Sequence, residues 1–64
     1  MKNLVEGMKF RVKEIKNPII DTKIGNIVEV VTTNEKTTEF RDITTFDWFI
    51  VDNDNIGNCL EICQ

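Results

Sequence analysis

Apolar and polar residues alternate with a period of two along much of the chain. Met8-Lys9-Phe10-Arg11-Val12-Lys13 alternates strictly, which predicts a half-buried strand with a basic outer face. Gly7 precedes it and Asn17-Pro18 follows it, both breaker signals. Residues 16–25 read as a loop, because Pro18 cannot donate to a sheet ladder and Asp21-Thr22-Lys23 is polar. Residues 25–33 are rich in β-branched side chains and predict a second strand. Asn34-Glu35-Lys36 follows as a turn. Residues 37–45 suit a strand or extended segment through Thr37, Thr38 and Phe40. One or two helical turns capped by Asn34, with Phe40 and Ile43 on one side, are the alternative. Phe46-Asp47-Trp48-Phe49-Ile50-Val51 is the most apolar segment, Asp52-Asn53-Asp54-Asn55 a turn, and Cys59-Leu60-Glu61-Ile62-Cys63 a closing strand.

Short strands punctuated about every ten residues predict an all-β chain, and 64 residues hold one domain spanning 1–64. A small five-stranded barrel fits that length, with room for one helical turn in 34–45 or 53–57. The chain also echoes itself: Ile24-Gly25-Asn26-Ile27-Val28-Glu29-Val30 matches Ile56-Gly57-Asn58-Cys59-Leu60-Glu61-Ile62. Both segments read as a glycine turn entering a strand. Alternation along them predicts Val28, Val30, Leu60 and Ile62 inward, and Glu29, Glu61, Cys59 and Cys63 outward.

The order of these elements resembles SH3-like barrels of the bacterial or phage type. The features that carry it are a first strand, a long loop with Pro18, a strand opening Lys23-Ile24-Gly25-Asn26-Ile27-Val28-Glu29-Val30, a turn, a strand with Trp48, a short turn at 53–57 and a closing strand. Residues 25–30 look like the G-D-φ-φ-E-φ entry to the second strand of that class, with Asn26 in place of the aspartate. The resemblance implies a scaffold rather than a function. SH3 domains that bind proline-rich peptides use paired tyrosines and a late Pro–Tyr pair. This chain has no tyrosine and only Pro18, so that activity is not implied.

Composition narrows the chemistry. Histidine, serine and tyrosine are absent, which removes the common acid–base and nucleophile constellations and points away from an enzyme. The two thiols, Cys59 and Cys63, lie too far apart on a strand to bridge each other, which predicts reduced cysteines in a cytoplasmic protein. No apolar run is long enough to span a membrane. The first seven residues lack the apolar core of a secretory signal. The net charge of −3 is uneven. Residues 1–32 carry six Lys/Arg against four acids, whereas 33–64 carry two against seven. An acidic balance disfavours general binding to phosphate backbones.

Trp48, with Phe46 and Phe49, forms the candidate anchor of a partner-binding surface flanked by Asp47, Asp52 and Asp54. The alternative is that residues 37–45 fold over the segment and bury it. An acidic, aromatic-centred patch suits a basic protein surface. The expected function is therefore a non-enzymatic protein-binding module without cofactor, similar in size and character to small mobile-element accessory proteins that modulate a host protein. A second expectation is a nucleic-acid-binding barrel using Lys9, Arg11, Lys13 and Lys23, with Trp48 stacking on a base. A third is a homo-oligomer, paired through 46–51, that holds a small ligand between subunits. The basic residues also have a structural use, discouraging edge aggregation or pairing with Glu29 and Glu61. Asp52-Asn53-Asp54-Asn55-Ile56-Gly57 resembles the start of a calcium loop. Ile56 and Cys63 stand where ligands belong, so no metal site is expected.

Overall fold

The computed structural model describes residues 4–15 and 22–63. Five strands form one antiparallel, curled sheet: β1 (Lys9–Val12), β2 (Ile27–Thr33), β3 (Thr37–Asp42), β4 (Trp48–Asp52) and β5 (Leu60–Ile62). Their spatial order is β4-β3-β2-β1-β5, so β4 and β5 are the two edges of a half-barrel. A short 3₁₀ turn (Asn53–Asn55) runs into one helical turn, α1 (Ile56–Cys59), between β4 and β5.

The alternation read from the sequence sets the inner face. Phe10, Val12, Val28, Val30, Phe40, Ile56 and Leu60 form the core. Phe40 lies at its centre, edge-on to Phe10 with ring centroids 5.6 Å apart and stacked on Phe49 at 5.7 Å. The β2–β3 register shifts between Val30 and Thr32. A bulge of this kind bends and twists the strand, which helps the sheet curl over its core.

The loops are closed by side chains of the Asx type. Asn34 Oδ1 accepts the backbone N–H groups of Lys36 and Thr37 at 2.8 and 2.9 Å. That is the bond an N-cap would make, but here the chain turns into β3 instead of a helix. Residues 37–42 are therefore strand, and the helical turn falls at 53–59. Asp42 Oδ1 accepts from Thr44 and Thr45 in the same way, at 2.7 and 3.0 Å. This shapes the 43–46 loop, which ends on Phe46 with φ 65°. The left-handed region is costly for a bulky side chain. It also delays β4, expected from residue 46, until Trp48.

Two face assignments and the internal echo differ from the sequence pattern. Ile62 was expected inside, but at the end of the short edge strand β5 it is 44% exposed. Cys59 was expected outside, but it belongs to α1 and packs against the core. The internal echo breaks at its first residues. Ile24-Gly25 is a turn with Gly25 at φ 95° and Ile24 exposed, whereas Ile56 starts α1 and is fully buried. Glycine opens a turn in one copy and merely sits in a helix in the other. The expected loop at 16–25, including Pro18, lies largely outside the described residues.

Candidate functional site

The outer face of the sheet divides into a neutralised half and an acidic, apolar half. On the β1–β2–β3 side, Lys9 Nζ lies 3.6 Å from Glu29 Oε2, and Arg41 Nη2 donates to Glu29 Oε1 at 2.9 Å. Arg11 lies 3.7 Å from Glu61 on β5. The ladder dictates these pairs, because Lys9 and Arg41 both flank Glu29 and Arg11 sits opposite Glu61. Arg41, chiefly through its hydrogen bond and assisted by Lys9, holds the Glu29 carboxyl below the usual carboxylate value despite the opposing effect of burial. Lys13 Nζ instead reaches the Gly57 carbonyl at 2.9 Å. Of the four cations proposed to bind nucleic acid, Lys9 and Arg11 face carboxylates, Lys13 caps a carbonyl, and Lys23 is exposed.

The other half is β4. Phe46, Trp48 and Ile50 are 68%, 54% and 65% exposed. Segment 37–45 does not cover them, because Phe40 is committed to the core and Ile43 sits in the turn. Phe49 and Val51 alternate inward, and Phe49 is half-buried against Phe40. Asp52 and Asp54 are exposed, and Asp47 is half-buried beside the 43–46 loop. Glu39 pairs with Ile50 across the ladder and shares the outer face. Neither Glu39 nor Asp52 has an ion-pair partner among the described residues.

The hydrogen-bond phase of β4 follows from its ends. Asp42 N–H donates to Asp47 C=O at 2.8 Å, and Asn53 N–H donates to Lys36 C=O at 2.8 Å. Antiparallel pairs alternate between bonded and non-bonded. Phe49 and Val51 therefore bond to β3, and the N–H and C=O of Trp48 and Ile50 point to the open edge. Sequence reasoning identified the aromatic segment but not this edge, because strand order is not encoded locally.

Beside the same edge lies a cleft of about 530 Å³. Phe49, Val51, Val12, Ile15, Cys59 and Leu60 supply its apolar walls, and Glu14, Glu39 and Asp52 its carboxylates. No lysine or arginine lines it among the described residues. Both cysteines are free. The acid-rich turn at 52–57 winds into the 3₁₀ and α1 turns. Among the described residues, no helix is long and apolar enough to cross a membrane, and no group of three or more His, Cys, Asp or Glu is placed to hold a metal ion. Compared with known proteins, the chain matches no family model, no curated protein and no solved structure.

Proposed function

We propose that this chain is a non-enzymatic protein-binding module whose contact surface is β4 and the loop that leads into it. The observation that carries the proposal is the exposure of three large apolar side chains, Phe46, Trp48 and Ile50, within one five-residue stretch. Single exposed hydrophobics need no explanation, but a cluster rimmed by acids is the pattern of an interaction site. Phe46 adds weight, because a phenylalanine at φ 65° is strained and its ring gains no core contact in return. Strain retained without a packing benefit supports a role in recognition. The order of the described elements supports an SH3-like scaffold: four successive strands, a helical turn and a closing strand.

The pairing of Lys9 and Arg11 with Glu29 and Glu61 weighs against nucleic acid as the partner. The test is affinity capture from the native cell with the wild-type chain and with Trp48→Ala, alongside titration of a generic oligonucleotide at two salt concentrations. Loss of the captured protein on Trp48→Ala, with an unchanged far-UV spectrum, supports the module. Tight, steeply salt-dependent oligonucleotide binding overturns it.

A further inference from the structure

Resting on that proposed function, we infer that the partner binds by strand addition: an extended, basic segment of another protein pairs with the open edge of β4. Three independent observations converge on this. The first is backbone: Trp48 and Ile50 present N–H and C=O groups to the edge that β3 does not use. Exposed edges of this kind recruit extended peptides. The second is shape. Side chains of an added strand alternate, so every second one faces the cleft floor beside Phe49 and Val51, and the others face Trp48, Ile50 and Asp52.

The third is charge. Glu29 and Glu61 already have cationic partners, whereas Glu39 and Asp52, which line the edge and cleft, have none among the described residues. Apolar residues on the cleft side, and lysine or arginine opposite Asp52 and over the Trp48 ring, complete the complementarity. A second copy of this chain fits less well. Pairing β4 with β4 about a two-fold axis gathers Glu39 and Asp52 from both copies on one continuous outer face, where like charges repel.

The probe is the peptide acetyl-GGKVTVKGG-amide, which offers lysines to one face and valines to the other. Its counterparts are the same peptide with both lysines replaced by glutamate, and the same peptide N-methylated on both lysines and the threonine. Binding is followed by Trp48 fluorescence and by amide hydrogen exchange. The expected result is at least a tenfold slowing of exchange at Trp48 and Ile50 with the lysine peptide, weakening as salt is raised. Affinity should fall at least tenfold for the glutamate peptide and be lost for the N-methylated one.

Binding that leaves the Trp48 and Ile50 amides exchanging freely overturns strand addition, as does equal binding of the glutamate peptide or no binding at all. Each of these leaves the protein-binding module standing if Trp48→Ala still abolishes capture. Slowed exchange at the same two amides in the protein alone, growing with concentration and matched by a dimer in sedimentation, also overturns the inference, because a second copy then occupies the edge.

Discussion

Asn26 Nδ2 donates to Asp42 Oδ2 at 2.9 Å, joining the turn that enters β2 to the loop that leaves β3. Asp42 is fully buried, and its other oxygen holds the Thr44 and Thr45 amides. One carboxylate thus fixes two loops, including the one that ends on Phe46. Removing it takes the acceptor from the Asn26 amide and from the Thr44 and Thr45 N–H groups at once. Asp42→Ala is expected to cost at least about 2–3 kcal/mol, the scale of lost hydrogen bonds to a charged group. That is a large fraction of the few kcal/mol available to a domain of this size. Urea denaturation measures the loss.

The same carboxyl sets the acid response. Burial alone would raise its pKa. The amide of Thr45, the side chain of Asn26, the amide of Thr44 and the nearby Thr22 hydroxyl together outweigh burial and lower it. A lowered folded pKa means that the stabilisation is fully present above the unfolded value of 3.8 and is lost as pH falls through the folded one. The urea midpoint is expected to hold from pH 7 to about pH 5 and to fall below that. Asp42→Asn should flatten the acid limb at a lower overall stability. Glu29 contributes in the same direction through Arg41. Arg41→Met should therefore raise the Glu29 titration midpoint, read from its carboxyl carbon by NMR.

Phe46 separates stability from recognition. Asparagine tolerates the left-handed region far better than phenylalanine. Phe46→Asn is expected to stabilise the fold by about 0.5–1 kcal/mol, part of the roughly 1–2 kcal/mol cost of that conformation. At this chain length that raises Tm by several degrees, measurable by calorimetry. The same substitution should weaken partner binding.

A polar chain crosses from the β2–β3 turn to the end of β4. Thr38 donates to Asn53 Oδ1 at 2.6 Å. The 2.7 Å contact between Thr33 and Thr38 must therefore be donated by Thr33, because each hydroxyl has one proton. Asn53 Nδ2 then reaches the Asn34 carbonyl at 2.8 Å. Thr38→Val keeps the shape but leaves the Thr33 hydroxyl and Asn53 Oδ1 without these partners. The expected cost is about 1–3 kcal/mol by thermal or urea unfolding.

Strand positions and inward-facing residues were legible because β-alternation is local: Phe10, Val12, Val28 and Val30 read directly. Phe49 and Val51 stand two apart and so share a face by alternation, but alternation alone does not say which face turns inward. Ile56 was missed because its burial depends on α1, a four-residue turn with no periodicity of its own. Asn34 was ambiguous because caps and Asx turns use the same bond. The aromatic half of the site was readable as the most apolar segment of the chain, 46–51. Its acidic half was readable only as an imbalance of charge along the chain, since which carboxylates stay unpaired depends on strand neighbours far apart in sequence.

The pairing of β1 with β5 carries a kinetic consequence. Phe10 and Ile62 are ladder partners although they stand at opposite ends of the described chain, and Cys63 N–H extends the ladder to the Lys9 carbonyl. Closing so long a loop for a three-residue strand gives little enthalpy early in folding, so this seam should form late. The β2–β3–β4 meander, joined by two tight turns, is the natural nucleus. β1 and β5 also finish side by side, so a circularly permuted chain opened between Asp54 and Asn55, with its original ends joined, would keep the meander intact, replace a slow, distant encounter with a local hairpin and should fold faster.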